Sequence, residues 1–407
     1  MIDPTRSYRD QLRLRADAIA TLCVHAGEDI GPEGATDVPI VMSSAFAFDD
    51  ASQAARAFTG EEPAWIYGRW GNPTTSALEG KLAALEGAEA ACVTASGMAA
   101  ISGAILSACQ QGERIVAPRS MYAESARLFR ERLPKLGIET SFVDGDTSSY
   151  EAAIGPKTRV LYIETPSNPT LAVTRLAPIV ALARSAPSRP LVIVDSTFAT
   201  PFGQTPLALG ADIVVHSMTK ALSGHGDVLG GVIASSEEHV TRARDFVVKG
   251  VGAVLSPLSA WLIARGLRTF ALRQEQACAS AAELAAFLSH HRNVAVVHHP
   301  SLTTHSGHHV AREQMYSYGS VLSFEVRGGD AALERGRRVL ESLKLATHAV
   351  SLGDTRTLVV HPASTTHSTM PQDVRLRAGI GDGLLRVSCG LESARDLLAD
   401  FEQALAW

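Results

Sequence analysis

One lysine in this sequence has a chemical setting of its own. The stretch DIVVHSMTKALSGHGDVLGG, residues 212–231, opens as an apolar run, turns to Ser217, Thr219 and Lys220, and then breaks up in glycines. A surface lysine needs no such setting. A second apolar run, LVIVDST at 191–197, contains Asp195 near its end. A buried carboxylate is costly unless a cation or several donors meet it. If the two runs are neighbouring strands, an anion and an amine flank one cavity. A third stretch, ASGMAA at 95–100, opens a helix with small and polar residues. The free N–H groups and positive dipole end of such a helix suit a phosphate. Ser96, Gly97 and Met98 stand at that start.

These three demands describe one ligand: a ring with a basic nitrogen, an aldehyde and a phosphate. Pyridoxal phosphate has all three. Asp195 would keep the ring nitrogen protonated, and Lys220 would form an imine with the aldehyde. Ser217 and Thr219 would add hydroxyls to the phosphate. Each piece also has an ordinary reading: a turn aspartate, a plain helix cap, a solvated lysine. Their joint occurrence along one sheet favours the ligand.

The elements that must position these residues are legible as a pattern. Short apolar runs fall at 90–94, 114–118, 159–165, 191–197 and 212–217, with helical segments such as Leu78 to Leu85 between them. Near-continuous apolar strands separated by helices predict an α/β fold, a mostly parallel sheet sandwiched by helices. Ligands bind such sheets at the carboxyl ends of the strands. Residues 1–60 read as an N-terminal arm, with a helix over about 5–20 followed by irregular chain. Residues 61–260 form the cofactor-binding large domain in this reading, and 261–407 a smaller α/β domain. A long helical stretch, Ser259 to Ser289, links the two. The second domain has a strand at Val321 to Val326, the run LLRVSCGLE at 384–392 and a last helix from Ser393. The histidine-rich stretch 290–309 lacks carboxylates at metal-ligand spacing, so no metal is expected and an exposed loop edge is.

Bulk properties exclude several classes. With 407 residues, 46% hydrophobic and 19% charged, the chain can build a sizeable core. A net charge of −5 offers no basic surplus for nucleic acid or acidic lipid. Five cysteines, none at CxxC spacing, suggest neither a zinc site nor a disulfide framework, and fit a reducing cytoplasm. The N-terminus is too charged for a signal peptide, and no apolar run is long enough to span a bilayer.

The motifs YGRWGNPT (67–74), TASGMAAI (94–101), ETPSNPT (164–170), VDSTFATP (194–201), HSMTKALSGHGDVLGG (216–231), VSLGDTRTLVVHPASTTHS (350–368) and GLLRVSCGLE (383–392) together resemble one family. It is the Cys/Met-metabolism family of pyridoxal-phosphate enzymes, the cystathionine γ-synthase-like group of fold type I. The resemblance runs from about residue 20 to the end. It implies that Lys220 is the Schiff-base lysine and moves protons, that Asp195 meets the ring nitrogen, and that Tyr122 stacks on the ring and assists proton transfer. Gly97, Met98, Ser217 and Thr219 match the phosphate cradle. Asn168 and Thr197 match residues that position the ring. Tyr67 and Arg69 match a pair that reaches the phosphate of the adjacent subunit, which implies at least a dimer and usually a tetramer. Arg386 and Ser351 match residues that hold the substrate α-carboxylate. A bidentate arginine there fixes the amino acid relative to the ring. Without the resemblance, Arg386 reads equally as an interdomain salt bridge, and Tyr67 with Arg69 as a surface patch.

The family runs γ-elimination, γ-replacement and β-elimination on one scaffold, so the pocket must select. Many members follow the tyrosine with Gly-Gly or, in methionine γ-lyases, Gly-Cys; here Ala123 and Glu124 follow. Cystathionine-handling members have an arginine five residues after the tyrosine, as Arg127 is here. Many of those have glutamate where this chain has Val350, a feature it shares with methionine γ-lyases and some sulfhydrylases. The expected activity is a carbon–sulfur lyase acting on cystathionine or methionine. The alternative is a transferase joining a thiol or sulfide to an O-acylated homoserine. Glu124 and Arg127 are either the receptors of a distal ammonium and carboxylate or a helix-face ion pair at spacing three.

Overall fold

The apolar runs lie side by side. The computed structural model describes residues 19–28, 34–368 and 370–407. Its larger sheet contains β1 (Ala90–Thr94), β2 (Arg114–Pro118), β3 (Glu139–Val143), β4 (Thr158–Glu164), β5 (Leu191–Asp195), β6 (Ile213–Ser217) and β7 (Gly231–Ser235). The strand order is β1-β7-β6-β5-β4-β2-β3. All pairings are parallel except those of β7, which runs against both β1 and β6. The expected runs at 90–94 and 114–118 coincide with β1 and β2, and the others differ by a residue or two at their ends.

Successive residues on these strands point to opposite faces, and both faces are covered. Val160, Tyr162, Ile193 and Val215 join one core with Ala100, Ile101, Ala104 and Ile105 of helix α2. Leu161, Ile163, Val192 and Val194 join another with Leu176, Ile179 and Ala183. Helix α1 (Pro73–Glu86) precedes β1, and α2 (Gly97–Ala108) follows it. Burial on both faces is what makes such strands continuously apolar.

A smaller sheet follows, formed by β8 (Val294–His298), β9 (Val321–Val326), β10 (Thr347–His348), β11 (Leu358–Val360) and β12 (Leu384–Ser388) in the order β10-β11-β12-β9-β8. Strand β9 occupies the expected residues, and the last helix, Ala394–Ala404, begins after Ser393. The expected long helix is two: Pro257–Leu267 and Phe270–His290. The first packs Ala260, Ile263 and Leu267 against Leu78 and Leu82 of α1. The second runs from Phe270 in that core to Leu288 in the core of the smaller sheet. The division expected after residue 260 therefore falls inside a helix that packs on the larger sheet.

Most of the arm helix expected over about 5–20 lies outside the described residues; residues 19–25 are helical. The histidine-rich stretch corrects one expectation. It is not an exposed edge, because His299, His305 and His308 are buried. His299 Nε2 bonds to the Gly319 carbonyl at 3.2 Å and His308 Nδ1 to the Pro300 carbonyl at 2.8 Å. Burial pushes the His299 and His305 imidazoles down to about 4, so they pack as neutral rings. Among the described residues no group of three or more His, Cys, Asp or Glu could hold a metal ion.

Candidate active site

The parallel strands β4, β5 and β6 are neighbours, and their carboxyl ends deliver Glu164, Asp195 and Ser217 to one edge. Asp195 and Lys220 thus meet the condition set by their positions in sequence. Asp195 is buried. Its Oδ1 accepts from the Thr197 amide at 3.0 Å and the Thr197 hydroxyl at 2.6 Å, and Tyr162 donates to Oδ2 at 3.3 Å. Burial pushes the Asp195 carboxyl up, against the pull of its donors. The Thr197 hydroxyl also accepts from the Ser217 amide at 3.0 Å, which ties the ends of β5 and β6 together.

Lys220 lies in the turns after β6. Its Nζ donates to Ser351 Oγ at 2.8 Å. Burial, and secondarily Arg386, pushes the amine from 10.5 down to about 8. Ser351 has φ +95, a left-handed conformation strained for a residue with a side chain. Its carbonyl accepts from Arg386 at 2.7 Å. A second Arg386 nitrogen donates to Asn168 Oδ1 at 3.0 Å. The guanidinium is buried, its third nitrogen Nε has no partner among the described residues, and burial lowers its pKa to about 10. Arg386 is therefore not an interdomain salt bridge, since no ion pair forms there among the described residues.

The helix start is built as expected. Ser96 caps α2, its hydroxyl accepting from the Ala99 amide at 3.2 Å. The first-turn amides of Gly97 and Met98 have no intrahelical acceptor. Gly97 presses on Ser217 so closely that a Cβ there would lie 2.6 Å from the Ser217 Cβ. The Thr219 hydroxyl is engaged by the amide of Gly230 at 3.1 Å. The residues present therefore fit pyridoxal phosphate: an amide-lined helix start for the phosphate, a carboxylate awaiting a cation, and an amine of lowered basicity.

Tyr122 precedes helix α3 (Ala123–Arg127), and 43% of its surface is exposed. Burial of the rest, with Glu124 nearby, pushes its phenol up. Glu124 and Arg127 stand 3.9 Å apart, and Arg127 Nε donates to Glu131 at 3.1 Å, so Arg127 belongs to a ladder of ion pairs along the helix. Tyr67 and Arg69 lie elsewhere. Arg69 donates to the Lys249 carbonyl and its guanidinium sits 5.4 Å from the Tyr67 ring centre. Among the described residues no hydrogen bond ties either to Lys220, Asp195 or Ser217.

Two residues of this region carry no expectation from sequence. Glu164 ends β4 as Asp195 ends β5, the same signal of a carboxylate closing an apolar strand. His367 is buried, and its imidazole is pushed down to about 4 by burial and then by Arg386.

The family described as Cys/Met metabolism PLP-dependent enzyme matches residues 20–406. The chain belongs to that family. It is 45% identical to an L-methionine gamma-lyase of Fusobacterium nucleatum subsp. polymorphum over 95% of this chain and 98% of the relative. It is 39% identical to an O-succinylhomoserine sulfhydrylase of Pseudomonas aeruginosa over 97% of this chain and 96% of the relative. The crystal structure of a cystathionine gamma-lyase from Lactobacillus plantarum, complexed with L-serine, superposes with a TM-score of 0.88 at 35% identity, covering 95% and 98% of the two chains. The fold of this family member is accordingly that of the PLP-dependent fold type I enzymes, with a large and a smaller α/β domain.

Proposed function

We propose that this chain is a PLP-dependent carbon–sulfur lyase that carries out γ-elimination on a sulfur amino acid such as cystathionine or methionine. One observation carries the substrate class. Ser351 joins the Lys220 amine, through its hydroxyl, to the Arg386 guanidinium, through its carbonyl. A reactive amine and a buried guanidinium joined through one residue suit an α-amino acid. The likeness to methionine and cystathionine γ-lyases supports the reaction.

Pyridoxal phosphate supplies an electron sink for the bound amino acid. The chain's own residues do the rest. The amides of Gly97 and Met98, with Ser96, Ser217 and Thr219, would hold the phosphate. Asp195, oriented by Thr197, would keep the ring nitrogen protonated, and Asn168 would help to position the ring. Arg386 and Ser351 seat the α-carboxylate and fix the Cα–H bond toward Lys220. Nζ of Lys220, partly neutral near pH 8, takes the Cα proton, returns it to the bound molecule, and is then free to take a Cβ proton. Tyr122, kept protonated by its raised pKa, is the donor for the departing thiolate. Water completes the balance: substrate and water give 2-oxobutanoate, ammonia and a thiol.

The reading includes a cytoplasmic homo-oligomer, a dimer of dimers, in which Tyr67 and Arg69 serve the adjacent subunit's phosphate. Exposed apolar side chains at Met42, Tyr67 and Val251 support a subunit contact on that side, and the five cysteines are free thiols. Among the described residues no helix is long and apolar enough to cross a membrane. Glu124 and Arg127 are assigned to the distal end of a cystathionine-like substrate, for which Arg127 must leave Glu131. If Arg127→Ala leaves the ratio of cystathionine to methionine turnover unchanged, that assignment falls.

The test is release of 2-oxobutanoate by purified holoenzyme without added thiol, from cystathionine, methionine and an O-acylhomoserine in parallel. Release from cystathionine or methionine is expected. Release from the acylhomoserine alone, replaced by a thioether when a thiol is added, would make the enzyme a γ-replacement transferase.

A further inference from the structure

Glu164 is placed where a buried carboxylate is expensive, at the end of β4 and in register with Asp195 on β5. Burial and the Asp195 charge both push its carboxyl up. Each of its two oxygens has one task. Oε2 accepts from the Tyr122 amide at 2.7 Å, and Oε1 accepts from the Asn168 amide at 2.9 Å. Tyr122 is the residue that leads into α3. Asn168, on the loop after β4, passes the connection on, because its Oδ1 accepts from Arg386 at 3.0 Å. One side chain therefore joins the aromatic residue to the arginine. A backbone carbonyl or a water would satisfy either amide alone without a second buried charge beside Asp195.

We propose that Glu164 is a positioning residue for substrate binding: through Asn168 it aims Arg386 at the α-carboxylate, and through the Tyr122 amide it fixes the backbone that presents the Tyr122 ring. This rests on the reading of Arg386 as the carboxylate seat. Glu164 touches neither substrate nor cofactor in this role. A glutamine there keeps the shape but leaves only one acceptor, so one of the two amides loses its partner.

The test compares two amines on the holoenzyme. Glycine has a carboxylate and methylamine has none. Both are titrated into wild type and Glu164→Gln while the absorbance of the bound cofactor is followed, with cofactor content and unfolding temperature measured alongside. Wild type is expected to prefer glycine. In the variant the preference falls about tenfold or more, the size of one lost hydrogen bond to a charged group, while methylamine binds nearly as before. A purely structural role lowers the unfolding temperature and leaves the preference intact, and a preference within about twofold of wild type overturns the proposal. Should Glu164→Gln fail to hold the cofactor, Glu164→Asp keeps the charge but cannot span both amides. It is expected to lose the preference too, and keeping it overturns the proposal. If wild type shows no preference for glycine, the Arg386 reading itself fails, a result separate from the other two.

Discussion

Two groups of buried charges in this molecule are treated in opposite ways. Where α1 meets β1 and the second half of the large sheet, each is closed on a partner. Arg244 forms two parallel bonds to Glu79 at 2.9 and 3.0 Å, and the Val93 amide donates to Glu79 at 3.0 Å. Lys81, fully buried, meets Glu28 at 3.0 Å and the Cys23 carbonyl at 2.8 Å. At the strand ends the charges stay open. Among the described residues Lys220 has a hydroxyl, Arg386 has two neutral oxygens and an Nε without a partner, and Asp195 has donors but no cation in hydrogen-bond contact. Buried charges persist where they are paired or where a ligand completes them. The first region holds shape. The second is the region proposed above to take the amino acid and pyridoxal phosphate.

The sharpest way to break this contrast is Lys220→Ala. It should keep the fold, as seen by circular dichroism, and lower steady-state 2-oxobutanoate release by at least about 10³-fold, since it removes a proton carrier that also binds the cofactor. Appreciable turnover would remove the lysine from its central role. In the closed region the reverse is expected. Glu79→Gln strands Arg244, so chemical denaturation should report a loss of about 3–5 kcal/mol with kcat per folded molecule unchanged. Arg386→Lys keeps the charge but not the fork, and should raise KM about 10- to 100-fold with a smaller change in kcat.

The smallest effect concerns pH. The Lys220 amine loses its proton at about 8 in the folded chain, against 10.5 as the ordinary value. Between these values the unfolded chain binds more protons, so this group lets stability rise with pH. Its cost is fully present below about pH 8 and gone above about 10.5. Lys220→Met should therefore stabilise the apoprotein at pH 7, on the order of 1–2 kcal/mol, and the gain should shrink toward pH 10.5. A gain independent of pH would mean that burial does not lower the basicity of this amine.

The same contrast explains what was legible in the sequence. Strands β2, β4, β5 and β6 were readable because both faces are buried and the runs are apolar throughout. Strand β3 was not, because its ETSFV alternates and begins exposed at the sheet edge. Strand β7 was hidden behind the glycines of 224–231, although Gly231 is required where a Cβ would lie 2.1 Å from the Ser96 carbonyl. Lys220, Asp195 and the Ser96 helix start were visible as polar residues interrupting buried runs. Glu164 gives the same signal at the end of β4, but what it does depends on two backbone amides, those of Tyr122 and Asn168, that no residue type reveals. Arg386 is on β12 of the other sheet and Ser351 in the loop between β10 and β11, both more than 100 residues along the chain, and only the family resemblance placed them beside Lys220. The buried histidines near 300 misled because imidazole was counted as polar, while carbonyls and burial keep it neutral.

The most direct measurement is borohydride reduction of the holoenzyme followed by peptide mass mapping. Fixation of the cofactor on the peptide containing Lys220, and on no other lysine peptide, is the predicted result. Fixation on Lys81, Lys249 or another lysine would contradict the assignment of the open amine at the strand ends as the residue that holds pyridoxal phosphate.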